Sequence, residues 1–543
     1  RNSINFLLGH EIVNEKSKSY FIESREFPAF TPVEYALANM VLGANPQLPR
    51  SFEEQTKLLS FFSRLNYTFD DKYLVTLTMR ADGSSVFGDG NRWGYFPSAS
   101  VAWRVLNESF MERYKSVFND LKVRVSYGTA GNNRIDPSLF ETLFEPGAFY
   151  GLNNKQVTAF RPNNLGNEFL KWETTVSRNI GLDMAFLNNR VQVTLDAYQN
   201  TTKDLLVNVQ IDPTSGYKNQ MKNIGNTTNK GIELQLNGVP VTNKNFTWNS
   251  NFNISFNKNV IDTYGTSDFE LFQSGWAGSN APFDYIARVG SPVGTIWGLV
   301  NDGFYTINDF NYNNGVYTLK EGVANNKSVT ALDPKPGVIK YRDLNGDGIV
   351  DDKDRTIIGD TQPAFFGGLN NQFTFKNFDL SVFVNFQYGN DVLNANKLEF
   401  TSGYTPNSNL LSIMNNRWRN VNDQGQVVTD PTELAELNKN ATLWSPLTTS
   451  TSFYVNSWAV EDGSFIRINN ISLGYTLPTN LSAKAKISKL RVYGTVNNLK
   501  VFTNYSGYDP EVNTRRNSPI TSGVDYSAYP RSRAYIFGVN LTI

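Results

Sequence analysis

The sequence contains no cysteine. That removes disulfides, thiolate zinc sites and cysteine nucleophiles together. It contains one histidine, His10, so neither a multi-histidine metal site nor a histidine-based triad can be assembled. It has no charge surplus, since Lys+Arg and Asp+Glu both number 50. A nucleic-acid binder normally carries a basic excess, so no nucleic-acid partner is expected. No apolar run reaches the roughly 18 residues that a membrane helix needs. The opening RNSINFLLGHEIV alternates like a strand and shows no signal-peptide cleavage pattern. Asp and Glu are numerous, but none stands in a glycosidase or protease context, so no enzyme is expected.

What the chain does have is aromatic residues in a polar setting. Aromatics make up 13% of 543 residues, with 38 Phe, 26 Tyr and 9 Trp, while mean hydropathy is -0.38. A membrane β-barrel needs this combination, because alternate residues face lipid, the others face a wet lumen, and aromatics ring both interfaces. Period-two patterning supports it. Phe246, Trp248, Phe252, Ile254 and Phe256 alternate with Thr247, Asn249, Asn251, Asn253 and Ser255. Phe378, Leu380, Val382, Val384 and Phe386 oppose Asp379, Ser381 and Asn385, with Phe383 as the exception. Tyr73–Met79, Leu121–Tyr127 and Tyr535–Ile543 repeat the pattern.

About sixteen strands are predicted, near 2–13, 53–68, 73–82, 92–105, 120–130, 170–186, 190–211, 228–238, 245–257, 282–289, 293–305, 363–375, 377–389, 463–476, 488–499 and 532–543. The connections alternate in length. Phe69–Lys72, Leu187–Asn189, Gly290–Pro292 and the Lys376 region are tight, while 14–52, 131–169, 212–227, 258–281, 306–362, 390–462 and 500–531 are long. In an up-and-down barrel every second connection lies on one rim, with short turns periplasmic and long loops outside. The expected fold is therefore all-β: a transmembrane antiparallel up-and-down β-barrel with long extracellular loops. A soluble sandwich explains any single strand but not this sorting.

Several segments then resemble one family, the TonB-dependent outer-membrane transporters of the SusC type. They include Arg80–Gly88 (RADGSSVFG), Asn91–Arg104 (NRWGYFPSASVAWR), Val125–Asn133 (VSYGTAGNN), Trp172–Thr175 (WETT) and Asn179–Asp183 (NIGLD). Asp343–Gly348 (DLNGDG), Arg355–Gly359 (RTIIG), Phe465–Tyr475 (FIRINNISLGY), Tyr505–Glu511 (YSGYDPE) and Arg533–Leu541 (RAYIFGVNL) continue in order. The resemblance implies an outer-membrane barrel of about 22 strands, filled by an N-terminal plug. By it, residues 1–543 are expected to be the C-terminal portion of that barrel, with the plug and first strands outside this chain. An open sheet of about sixteen strands would leave bare edges in lipid. The implied function is active import of a large nutrient, an oligosaccharide or oligopeptide. The implied partners are a SusD-like lipoprotein, the TonB complex and outer-membrane lipid. A passive porin and a calcium-dependent surface binding protein are the alternatives; the first would lack a plug, the second would need no barrel.

Two sets of residues are candidates for sites. Asp343, Asn345, Asp347, Asp351 and Asp354, with the Ile349 carbonyl, occupy positions 1, 3, 5, 9, 12 and 7 of a calcium loop, and Gly348 sits at the turn position. Carboxylates at odd spacings can converge on one hard cation, so a structural Ca²⁺ is expected there; the departure is Asp354 where an EF-hand has Glu. The bland reading is an Asp/Asn/Gly-rich turn. Trp276, Tyr404, Trp418, Trp444 and Tyr454 lie in or beside long loops and are candidate ligand-stacking residues. Against this, such aromatics also stabilise large loops from within.

Overall fold

The computed structural model describes residues 2–43, 50–217, 219–265, 267–278, 282–402, 409–446, 453–514 and 518–543. Fourteen long strands, rather than about sixteen, are hydrogen-bonded in chain order. They are β1 (Asn2–Phe21), β2 (Arg50–Phe69), β3 (Tyr73–Ser84), β4 (Trp93–Arg104), β5 (Phe118–Asn132), β6 (Glu173–Phe186) and β7 (Val191–Lys203). Then follow β8 (Asn226–Thr242), β9 (Phe246–Thr263), β10 (Phe365–Phe375), β11 (Phe378–Tyr388), β12 (Phe465–Thr476), β13 (Lys489–Thr503) and β14 (Ala534–Thr542). The chain divides into two compact units, one of 1–107, 124–179 and 200–226, the other of 108–123, 180–199 and 227–543.

In the first unit β1 pairs with β2 from Asn2↔Phe69 to Phe21↔Arg50. A membrane strand needs only about 9–11 residues, so this hairpin is about twice as long as a crossing requires. The next turn, Asp70-Asp71 between β2 and β3, has positive φ at both residues, 54° and 51°, the geometry that matches strand twist in a tight hairpin. The far half of the β1–β2 hairpin, of which 14–21 and 50–52 fall in the connection expected from the sequence, is mostly polar on both faces. There Lys18 pairs with Glu53 at 2.7 Å and Gln55 donates to Asn14 at 2.8 Å. A core of Val86, Phe87, Phe96, Leu170 and Trp172 closes beside the β3–β4 connection.

In the second unit β9 to β14 pair antiparallel in sequence, with registers such as Asn251↔Asn370, Val382↔Asn371 and Ser472↔Thr495. Register mates share a face, so the apolar residues gather on one side and the amides on the other, with Asn371 and Phe383 as exceptions. On the apolar face aromatic pairs mark both strand ends. Phe378 and Tyr475 sit 4.7 Å apart at the tight-turn end, and Phe365 and Tyr388 sit 5.2 Å apart at the loop end. Ten residues of strand at ~3.3 Å each, tilted ~45°, separate these ends by roughly 23 Å, close to the height of an outer-membrane apolar band.

The two missing strands are a correction. Residues 282–289 and 293–305 do not join the long ladder. Tyr285–Arg288 and Thr295–Gly298 instead pair within a separate four-stranded sheet with Phe269–Phe272 and Thr356–Asp360. Tyr285, Ile286 and Ala287 are all buried, as are Thr295 and Ile296; a barrel strand would show one wet or lipid-facing side. The Gly290–Pro292 turn therefore lies inside one long connection between β9 and β10. Because the strands drop out as a pair, the sorting survives. Connections 264–364, 389–464 and 504–533 share one end, and 243–245, 376–377 and 477–488 the other.

This sorting gives a direct expectation. The chain lacks cysteine, so single cysteines report cleanly. Asn314→Cys, at the tip of the Phe310–Asn313/Val316–Leu319 hairpin, is expected to react on whole cells with an impermeant maleimide. Asn188→Cys, in the tight β6–β7 turn, is expected to stay unlabelled. The reverse pattern would invert the topology.

Candidate functional site

The segment Asp343–Asp354 folds on its own amides. Asp343 accepts from Gly346 N at 2.6 Å and Gly348 N at 2.8 Å. Asn345 Oδ1 accepts from Asp347 N, and Asp347 Oδ1 from Ile349 N, at 2.8 and 2.9 Å. Asp351 caps a short 3₁₀ turn by accepting from Lys353 N at 2.7 Å. Asp354 is fully buried and takes three amides: Leu344 N at 2.8 Å and Asn345 N at 3.3 Å on Oδ1, and Asp351 N at 2.8 Å on Oδ2. Val350, also fully buried, anchors the segment in a core with Leu299, Tyr341, Met414 and Trp444. Amide donors, Gly348 N first, hold the Asp343 carboxyl below its ordinary value, against a smaller opposing effect of desolvation. Among the described residues, no three His, Cys, Asp or Glu side chains are grouped as a metal cage. What the segment visibly provides is a self-capped loop with five acidic side chains, of which only Asp354 is buried.

The loop aromatics are a second correction. Trp276, Trp418 and Trp444 are 2–5% exposed, so none offers a ring face to a ligand. Trp276 packs on Phe453 and Tyr526, Trp418 on Phe304, and Trp444 edge-on to Trp458. Trp444 Nε1 donates to the Thr401 carbonyl at 2.9 Å. Trp418 covers Gly337, where an added Cβ would come within 2.2 Å of its ring and φ is +90°. Tyr454 is half-buried, beside the same core as Trp444 and 5.8 Å from the Arg355 guanidinium carbon. Tyr404 lies outside the described residues. Connections this long bury their own hydrophobic centre, and that is where their tryptophans went.

Sequence reasoning passed over a set of amides on the inward face of the second unit. Asn251 donates to Asn237. Asn257 and Asn259 both donate to Asn229, at 3.2 and 3.0 Å, and Tyr198 donates to Asn257 at 3.0 Å. Asn469 donates to Asn385 and Asn470 to Asn497, each at 2.6 Å. A depression of about 360 Å³ is lined by Gln192, Asn237, Asn249, Asn251, Asn370 and Gln372 among others. Two charge pairs lie on this face: Arg491 chelates Asp379 at 2.9 and 2.5 Å, and Lys122 pairs with Asp183 at 2.8 Å. In the first unit Arg80 is likewise held by Asp82, Glu11 and Ser60. The result is a hydrogen-bonding, nearly charge-neutral wall opposite a lipid-compatible one.

The family model for the TonB dependent receptor-like β-barrel matches residues 8–333. The chain belongs to this family. It is 33% identical to TonB-dependent receptor P3 of Formosa agariphila over 99% of its length and 50% of the relative's. It is 30% identical to TonB-dependent receptor SusC of Bacteroides thetaiotaomicron over 90% of its length and 44% of that receptor's. A solved structure of the RagAB peptide transporter shares the fold, with a TM-score of 0.76 at 22% identity over 99% of this chain and 53% of that one. The chain spans about half the length of the curated relatives it matches. As a receptor barrel of this family it resides in the outer membrane. Its exposed outward side chains, such as Leu77, Val101, Phe378 and Leu473, are then lipid-facing.

Proposed function

We propose that the chain forms the barrel wall of a TonB-dependent importer that takes a large nutrient across the outer membrane. The cargo is an oligosaccharide or oligopeptide, and the receptor works as the SusC-like member of a complex with a SusD-like lipoprotein over its extracellular mouth. The observation that carries this is the match to receptors of one kind along nearly the whole chain, SusC among them. The neutral amide wall supports it, since a water-filled passage for uncharged polar cargo needs many exchangeable hydrogen bonds and few trapping charges. The plug and the remaining strands are proposed to come from the part of the receptor outside residues 1–543. A plugged barrel cannot conduct bulky cargo passively, so opening requires work delivered by the TonB complex. No catalytic step belongs to the proposal.

Uptake is therefore expected to stop in cells lacking TonB, with the receptor still present in the membrane. Uptake that continues unchanged would favour a passive porin. Isolation of the intact receptor in mild detergent is expected to bring a lipoprotein with it. A lone barrel in repeated preparations would count against the partnership.

Calcium at Asp343–Asp354 forms a further part of the proposal, supported by the spacing of the acidic side chains and by the exposure of Asp347. A weak affinity, on the order of 10⁻⁴–10⁻³ M, is expected for an extracellular module. Asp347→Ala should abolish the calcium heat signal in titration calorimetry of the intact receptor and leave the loop folded, because Asp343 and Asp354 carry the amide network. An unchanged heat signal in that variant would place the ion elsewhere.

A further inference from the structure

The last connection, 504–533, does more than join β13 to β14. Its residues Val524–Asp525 pair in parallel with Leu393–Asn394 of connection 389–464. The Ser522 carbonyl accepts the Tyr285 hydroxyl at 2.6 Å, and the Ser522 hydroxyl meets Thr361 Oγ1 at 2.8 Å, both in connection 264–364. The Asp525 carboxylate accepts the Tyr505 hydroxyl at 2.6 Å, and its carbonyl accepts Asn396 Nδ2 at 3.2 Å. Ser506 donates to Glu461 from both its amide and its hydroxyl, at 2.9 and 2.8 Å. Val524 is fully buried in one core with Tyr285, Ile296, Leu393 and Trp276. Segment 522–525 is thus where three connections meet.

Both feet of connection 504–533 converge on one cluster of charges built on Arg467. Arg467, on β12, is 1% exposed and is the largest fully buried side chain among the described residues. Its Nη1 donates to Asn498 Oδ1 at 2.7 Å and its Nη2 to Asp509 Oδ1 at 2.6 Å. Glu511 Oε2 stands 2.9 Å from Nε but off the N–H axis, so that contact is an ion pair rather than a hydrogen bond. Arg531, at the other foot, reaches Asp509 Oδ2 at 3.2 Å and Glu511 Oε2 at 3.1 Å. The site exists because the β12–β13 register shifts between Ile468 and Asn470, where Asn498 takes a φ of 57°. The bulge aims Asn498 at Arg467 and lets Asn498 Nδ2 hold the Ser532 carbonyl at 3.2 Å.

We propose that Arg467, Asp509, Glu511 and Arg531 form a latch that fastens connection 504–533 to the β12–β13 bulge. Through Ser522–Asp525 the latch also keeps connections 264–364 and 389–464 in one arrangement. A buried guanidinium persists only while its partners surround it. Deleting it leaves Asp509 and Glu511 with Arg531, which is half-exposed and ties the two feet to each other but not to β12. The three connections then lose their shared tether together, as a cooperative unit rather than as independent loops. The latch requires nothing of the cargo or of TonB.

The test is amide exchange in the full-length receptor in detergent, with Arg467→Gln. Exchange is expected to rise about tenfold or more in 518–526, 285–298 and 391–396 at once, with β10 and β11 unchanged. A rise confined to residues next to 467, 498 and 509 would overturn the proposal, as would no rise at all. If Arg467→Gln fails to assemble, the pair Asp509→Asn with Glu511→Gln removes the latch from the loop side and leaves the strand intact. The same joint rise is expected there, and a purely local one would again overturn it.

Discussion

Val382→Arg should destabilise the folded receptor by about 2–4 kcal/mol, whereas Gln372→Arg on the neighbouring strand should cost about 1 kcal/mol or less. The two sites sit on adjacent strands but face opposite ways. Val382 pairs with Asn371 and Ile471, midway between the aromatic pairs at Phe378 and Phe365, which places it near the centre of the apolar band. A guanidinium there must desolvate or drag water into hydrocarbon. Gln372 pairs with Asn249 and Ser381 and lines the amide depression, where an arginine stays hydrated and finds carbonyl acceptors. Reversible urea unfolding in thin lipid vesicles measures both. Equal penalties at the two sites would mean that the faces are assigned wrongly, and with them the membrane orientation of the whole ladder.

The contrast also shows what the sequence made legible. A strand with one lipid face and one wet face writes its period in the residues themselves, so β9, β11 and β14 were visible at once. The segment APFDYIARVGSPVGTIWGLV misled because it is apolar and turn-bounded, yet Tyr285, Ile286 and Ala287 are all buried. Burial on both sides means packing inside protein, and a missing wet face was the available sign. The outer half of β1–β2 failed in the opposite sense, being polar on both sides in solvent. The tryptophans could not be placed from composition, since a long connection with its own core and an exposed stacking platform use the same residues. Their neighbours in space, Phe453 for Trp276 or Gly337 for Trp418, are distant in sequence. The inward asparagines were seen as a polar face, but their pairing across strands depends on register. The latch was half written in YSGYDPE; its arginines come from residues 467 and 531, and only the fold joins them.

Asp354→Ala should unfold the segment 343–354 while leaving the strands assembled. The alanine strips the acceptor from three backbone N–H groups, those of Leu344, Asn345 and Asp351, at a residue that is fully buried. A donor left without an acceptor costs about 1–3 kcal/mol where water cannot reach it; Leu344 and Asn345 are exposed residues and Asp351 is half-buried, so a local loss of about 1–3 kcal/mol follows for the three together. Asp354→Asn should be milder, because its remaining oxygen can still serve Leu344 and Asn345 while the Asp351 amide loses its partner. Asp343→Ala should be weaker still, since Asp343 is exposed and water can replace it at Gly346 and Gly348. Its depressed carboxyl nevertheless gives the segment a pH dependence of definite sign. The Asp343 contribution is present above the unfolded-state value and lost only as pH falls through the lowered folded-state value, so the segment should be unchanged from neutral pH down to the ordinary carboxylate range and loosen below it. Amide exchange at Leu344, Asn345 and Asp351 reads all three variants. Millimolar calcium should restore none of the protection lost in Asp354→Ala, because the missing acceptor is interior to the loop. Full restoration by calcium would mean that the ion, and not the Asp354 carboxylate, is what holds this segment together.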